Sequence, residues 1–316
     1  GMADVFEIVG VVDDRASHSA KFVSDDLGSY EGLKFMTEEE LFNIAELQAV
    51  TVETPNSDLV PTALRCMNRG LAIHMDKPGG DDLERFAKLR KGCEERGLPF
   101  QMGYMFRNNP AIQFARKAIG EKLLGDVFEI QASMSHNYGG DTYQRYLGEF
   151  KGGIMFNLGC HLIDFIVAMM GRPEKITPFL KSTSEAFAAV ENNCLAILEY
   201  PQAIVSVRAC SMEVDGLRHR RLKVCGTKGT LDLCPMERFD GLPLQIRISL
   251  SEDSSEHAAG THTIDFGIQH DRYKDQLLEF AKIIRGEMKN PYDYQHDYLV
   301  QDVLLACSKE RAKINL

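Results

Sequence analysis

Between Phe6 and Gly103 apolar, β-branched runs alternate with helical segments on short connections, and this rhythm limits the chain's folds more than any other feature. The runs are Phe6–Val12, Gln48–Thr54, Ala72–Asp76 and Pro99–Gly103. Between them, Thr37-Glu38-Glu39-Glu40 has the form of a capping box opening a short helix. A helix from about Leu59 to Arg69 is stopped by Gly70, and Asp81 is placed to cap another that ends before Gly97. Strands that alternate with helices in this way form a parallel sheet covered on both faces. The prediction is half or more of a doubly wound, nucleotide-binding (Rossmann-type) α/β domain.

The rhythm changes after Arg107-Asn108-Asn109-Pro110. A helix to about Ile119, a strand near Val127–His136 and a second helix after Gly153 come first. Strand-like runs follow at 176–182, 194–200, 203–211, 221–225, 230–233 and 244–250, separated by turn residues. The polar segment 251–260 reads as a hairpin tip, and helices near 271–285 and 294–313 close the chain. We therefore expect two domains, 1–105 and 106–316. The second is α+β with a mainly antiparallel open sheet, and its last helix returns to the first domain.

In the segment Gly152–Asp164, GGIMFNLGCHLID, a helix would put Asn157, His161 and Asp164 at i, i+4 and i+7, on one face. Met155, Leu158, Leu162, Ile166 and Met169 would supply the opposite, core-facing side. Histidine is the side chain whose ordinary pKa allows proton exchange near neutral pH. Taken alone, His161 reads equally well as a buried histidine satisfied by neighbours.

Composition excludes several functions. The 316 residues carry a net charge of −10, with 44% hydrophobic and 26% charged residues. No Lys/Arg stripe suits a nucleic acid, and no stretch approaches the roughly 18 apolar residues a membrane helix needs. The eight cysteines are scattered without a C-x-x-C pair, so they read as reduced core residues of a cytoplasmic protein. No metal-ligand spacing is present.

Four motifs occur in order: Asp76-Lys77-Pro78 at a strand end, Phe106-Arg107-x-x-Pro110, the GG-x3-N-x-G-x-H-x2-D run, and the closing helix from His296-Asp297-Tyr298. From Val5 onward the chain resembles the glucose–fructose oxidoreductase/inositol dehydrogenase (Gfo/Idh/MocA) family. The resemblance implies an NAD(P)-dependent dehydrogenase that moves a hydride between nicotinamide and a hydroxyl carbon of a sugar, sugar acid or cyclitol. Lys77 would hydrogen-bond the reacting hydroxyl, and His161 would be the general base or proton relay. Thr54, Pro55 and Asn56 match the segment under the cofactor, with Asp76 and Lys77 beside it. Asp13 stands where a ribose-binding acid would favour NAD over NADP, but reads nearly as well as an acidic turn residue; nearby Arg15 suits a 2′-phosphate instead. Substrate contacts are expected from Arg107, Asn157, Asp164 and Tyr138, with Asn137 and Tyr143 near. Relatives pair through the open sheet face, so a homodimer or larger assembly is expected.

Two departures matter. Asn157 stands where many relatives carry aspartate, and an amide cannot take a proton, which moves weight to His161. The glycine fingerprint normally lies about 20 residues before the acid that ends the second strand, and Asp13 leaves no room for it. The first strand and phosphate loop are thus expected to be missing, by a late start or by natural loss, and Gly1-Met2 reads as a protease scar. On that basis this chain should bind cofactor weakly. The alternatives are a cofactor-free carbohydrate-binding or scaffold relative, and a redox-assisted glycoside-processing enzyme.

Overall fold

A computed structural model describes residues 2–13, 32–137, 140–183 and 185–309. Helix α1 (Glu38–Phe42) opens with the expected capping box: the Thr37 hydroxyl accepts from the Glu40 amide, and the Glu40 carboxylate accepts from the Thr37 amide at 2.7 Å. Strand β1 (Ala49–Val52), helix α2 (Asn56–Asn68), strand β2 (Ala72–Met75), helix α3 (Leu83–Glu95) and strand β3 (Phe100–Met102) follow. The strands form a parallel sheet in the order β1-β2-β3, with both crossovers helical. Every residue of β2 is buried, as expected for a strand covered on two faces.

Two local expectations are corrected. The cap of α3 is Asp82, whose carboxylate accepts from the Arg85 amide at 3.0 Å, and not Asp81. The run Phe6–Val12 is not a strand of this sheet; Val11 makes a single parallel bridge with Phe35, and Ile8 and Val12 are exposed. An apolar run becomes a strand only where a ladder and a covered face receive it, and the described residues offer it neither.

After helix α4 (Pro110–Gly120) and strand β4 (Val127–Ser135) comes helix α5 (Asp141–Leu147), which the sequence did not announce. Helix α6 (Cys160–Met170) is followed by strands β5 (Lys175–Lys181), β6 (Asn193–Glu199), β7 (Ile204–Cys210), β8 (Arg221–Gly226), β9 (Gly229–Leu233), β10 (Pro243–Leu250) and β11 (Gly260–Ile268). They build one sheet in the order β11-β10-β9-β8-β4-β7-β6-β5. All pairs are antiparallel except β4–β7. Burial alternates along β6 and β7: Cys194, Ala196, Leu198, Val205, Val207 and Ala209 face the core. On the other face Leu195 and Ile197 are half-buried, and Phe179 and Ile204 are exposed. Among the described residues strand β11 pairs only with β10, an edge position that tolerates the polar Thr261, His262, Thr263 and Asp265 among its residues.

Helices α7 (Lys274–Ile284) and α8 (Tyr294–Cys307) end the described chain, and α8 packs against both α3 and α6. It thereby joins the helices of the small sheet to the helix that carries His161. All eight cysteines are unpaired, seven of them buried. No helix among the described residues is long and apolar enough to cross a membrane.

Candidate functional site

Lys77 emerges from the carboxyl end of β2, where parallel sheets present ligands. Its turn is held from a distance. The Gly79 amide donates to Gln301 Oε1 of α8 at 2.8 Å, and Gln301 Nε2 donates to the Gly80 carbonyl. A Cβ on Gly79 would lie 2.8 Å from the Phe86 ring and 2.9 Å from Gln301 Oε1, so glycine is required for this approach. The Lys77 ammonium then donates to the Asn157 carbonyl at 2.9 Å, with Asn157 Oδ1 at 3.5 Å.

The segment bearing Asn157 is not the regular α-helix expected from its spacing. Gly152 and Gly153 both adopt positive φ, and a Cβ on Gly153 would lie 2.1 Å from the Glu191 carbonyl oxygen. Met155–Gly159 then forms a π-helical turn before α6 begins at Cys160. Such turns re-aim side chains and recur at functional sites. Asn157 turns to Lys77 and donates from Nδ2 to the Tyr143 hydroxyl at 2.9 Å, which also meets His136 Nε2 at 3.2 Å. Asp164 instead meets Arg107 and His296. The single shared face therefore does not form: the wider turn divides Asn157 from Asp164.

His161 lies between these two groups. It is buried, with the rings of Tyr104 and Phe106 edge-on at 6.0 and 6.2 Å, and its Nδ1 has no hydrogen-bond partner. Burial, then the Lys77 ammonium, pushes the imidazole well below its ordinary pKa; Asp164 opposes this, and Arg220 and Arg272 add to it. The sequence expectation of an imidazole titrating near neutrality is thus corrected. His161 is held neutral, with Nδ1 buried and unpartnered.

Arg107 and Asp164, expected at the substrate, are each about 1% exposed and engage each other. Arg107 Nη2 lies 2.7 Å from Asp164 Oδ1 and 2.5 Å from Asp297 Oδ1. Its guanidinium sits 4.1 Å from the Tyr292 ring centre and 4.9 Å from that of Tyr104. Burial opposes ionisation of Asp164, but Arg107 and His296 outweigh it and hold this carboxyl at about 2. In Asp297 burial prevails and raises the carboxyl above its usual range. Asp164, His296 and Asp297 are close enough to hold a metal ion, but the guanidinium already fills the place of the cation. This cluster fixes the positions of the 106–110 turn, α6 and α8 relative to one another.

At the end of β1, the Thr54 hydroxyl is buried without a partner, Pro55 caps α2, and Asn56 Nδ2 donates to the Tyr146 hydroxyl at 3.2 Å. Glu53 was not singled out from sequence. It follows Val52, which is in register with Met75, so it stands beside Asp76 at the sheet edge. Although the side chain remains exposed, desolvation and then the Asp76 carboxylate push it up to about 7, against Lys77. The matched endings Val52-Glu53 and Met75-Asp76 were the available signal. Asp13 follows the lone bridge at Val11 and not a strand of the parallel sheet, so the expected strand-end ribose acid is not formed there. Tyr138 and Arg15 lie outside the described residues. Gln301 was also missed, because its contacts join segments far apart in sequence, and His136, which meets Tyr143 seven residues on, was not singled out.

Residues 112–232 match the profile of the GFO/IDH/MocA C-terminal domain. Trans-1,2-dihydrobenzene-1,2-diol dehydrogenase of Bos taurus is 25% identical over 199 residues, 62% of this chain and 57% of its own length. D-xylose 1-dehydrogenase (NADP(+)) 2 of Haloferax volcanii is 22% identical over 228 residues, 72% of this chain and 68% of its own length. The chain spans about three fifths of the length of the first of these curated relatives. An inositol dehydrogenase homologue from Azotobacter vinelandii, solved with NADH and myo-inositol, superposes with a TM-score of 0.72 at 16% identity, covering 85% of this chain and 77% of that one. At that identity the likeness concerns the fold.

Proposed function

We propose that this chain is a member of the Gfo/Idh/MocA family and that it oxidises a hydroxyl carbon of a sugar, sugar acid or cyclitol with a nicotinamide cofactor. The observation that carries the reading is the pairing of the Lys77 ammonium with the buried, neutral His161 imidazole around Asn157. The relatives named above are dehydrogenases of a dihydrodiol and of a sugar. We assign the cofactor part to residues 1–105 and the substrate part to 106–316.

The residues present fit the nicotinamide end of such a cofactor. The unpartnered Thr54 hydroxyl, Pro55, Asn56, Asp76 and Lys77 cluster at the carboxyl ends of β1 and β2. When bound, the cofactor supplies the acceptor for a hydride and its electron pair. The protein's own part is the proton. Lys77 donates a hydrogen bond to the substrate oxygen and stabilises the negative charge that grows there. His161 takes the hydroxyl proton on a ring nitrogen, and the Asp164 carboxylate favours the imidazolium that results. Arg107 and Asp164 act through position: they hold α6, and with it His161, in place. Asn157 orients Lys77 through its carbonyl and is itself oriented by Tyr143.

Titration of NAD and NADP by calorimetry, followed by absorbance of reduced nicotinamide over a panel of polyols, tests this reading. Lys77→Met and His161→Asn should each lower kcat/KM by roughly 100-fold or more. Binding of neither cofactor, or no polyol-dependent reduction, would remove it.

A further inference from the structure

Helix α5 carries two tyrosines, one turn apart, that meet two different parts of the site. The Tyr143 hydroxyl accepts from Asn157 Nδ2 at 2.9 Å, and the Asn157 carbonyl accepts from Lys77. The Tyr146 hydroxyl accepts from Asn56 Nδ2 at 3.2 Å, at the start of α2. The two tyrosine rings lie 6.0 Å apart. From Tyr146 ring contacts continue to Phe150 at 5.2 Å, and from Phe150 to Phe156 at 5.3 Å. Phe156 precedes Asn157 in the π turn, so these rings and that turn brace one another.

The small sheet is held unevenly. On the side of β2 and β3, Lys77 meets Asn157, Gly79 meets Gln301, and the Met102 carbonyl accepts from Gln276 Nε2 at 3.0 Å. Strand β1 and helix α2 have far less. Among the described residues, the bond from Asn56 to Tyr146 is the one hydrogen bond or ion pair from 49–68 to 106–316. A single tie thus joins the Thr54-Pro55-Asn56 segment to the helix that also holds Asn157.

Helix α5 does not need that tie to stay in place. Gln144 and Leu147 are fully buried; Gln144 Nε2 donates to Ser211 Oγ at 3.0 Å, and its Oε1 accepts from Asn192 Nδ2 at 2.9 Å. A buried amide with both ends satisfied fixes its helix. Loss of the Tyr146 hydroxyl therefore leaves the helix and its ring contacts standing and releases only Asn56.

We propose that Tyr146 is a positioning residue for the reaction: through Asn56 it holds the segment assigned to the nicotinamide end at a fixed distance from Lys77. This rests on the reading of Lys77 and His161 as the reacting end, and adds the residue that sets one part of the site against the other. Hydride transfer makes that distance matter. Reacting atoms must come within roughly 3–3.5 Å, and a misplacement of about 1 Å costs on the order of 100-fold in rate.

The test compares wild type with Tyr146→Phe, Asn56→Ala and the double variant. Turnover is followed with NAD and NADP on D-glucose, D-glucuronate, D-xylose and myo-inositol, binding of the reduced cofactor by calorimetry, and stability by thermal melts. Tyr146→Phe should lower kcat by at least about fivefold, with KM and the cofactor Kd within about twofold of wild type. Its Tm should stay within about 4 °C, as expected for one hydrogen bond. Because Tyr146 acts through Asn56, the double variant should match the slower single variant within about twofold. A smaller loss of kcat, a loss accompanied by weaker cofactor binding, or deficits that multiply in the double variant overturns the proposal. Failure of the underlying reading shows separately: wild type would then oxidise none of these probes with either cofactor, and the proposal would fall with it.

Discussion

Replacing Arg107 with methionine keeps most of the side chain's bulk but removes the guanidinium from a fully buried site that contains the Asp164 and Asp297 carboxylates. In the intact protein Asp164 is held at about 2 against an ordinary 3.8, and at about 1.4 kcal/mol per unit the depression is worth roughly 2 kcal/mol in favour of the charged form. That preference rests largely on Arg107, because burial alone acts the other way. Breaking a buried pair by removing one partner costs roughly 3–5 kcal/mol. At about 2–4 °C per kcal/mol, Tm should fall on the order of 10 °C. The pH dependence gives a sharper check. Without the guanidinium both carboxyls should titrate above their unfolded value near 4, so the variant's deficit should grow as pH rises and shrink as pH falls from 8 to 5. The wild type behaves oppositely through Asp164: its contribution is present above about 4 and is lost as pH falls through about 2. Asp297, raised in the folded state, subtracts from that contribution as it ionises. Denaturant melts of both proteins at pH 5, 6.5 and 8 measure this. A deficit below about 1 kcal/mol, or one that does not change with pH, would show that the cluster is not the buried charge network described.

Gly153→Ala should destabilise by about 2 kcal/mol or more, because a methyl group would meet the Glu191 carbonyl at 2.1 Å on a positive-φ residue; Gly70→Ala, positive-φ but with open space around it, is the milder control in the same melts. Glu53→Gln should remove an ionisation near pH 7 from the pH profile of cofactor binding, and a profile unchanged by the substitution would show that the Glu53 carboxyl does not couple to the site. Light scattering at micromolar concentration should give a dimer or larger mass, since Phe179 and Ile204 lie exposed on a sheet face that also carries Leu195 and Ile197; a monomer mass would contradict this.

Features with local causes were legible in the sequence. The Thr37 capping box, the strands at 49–52, 72–75 and 100–102, and most of the large sheet follow from patterns a few residues long. Lys77 and Asn157, more than 70 residues apart, do meet. Where reading failed, the cause was tertiary. Among the described residues Phe6–Val12 has strand composition but no ladder to join, whereas β11, whose polar residues mix with Ile264, Phe266 and Ile268, occupies a sheet edge. Arg107 and Asp164 were read as ligand contacts because polar motif residues suggest chemistry, while their mutual burial depends on Asp297, far along the chain. The π turn escaped because the spacing argument assumed regular helix geometry, and the Gly152-Gly153 pair was its one local sign.

The contact between Gln301 and the Lys77 turn spans 222 residues. A chain folding as it is made can pair its small sheet early, but the turn after Lys77 stays unbraced by Gln301 until α8 is synthesised. The order of synthesis thus leaves that turn without its brace during most of the protein's production. A nascent chain stalled before that helix would have the sheet and the lysine without the geometry that joins them.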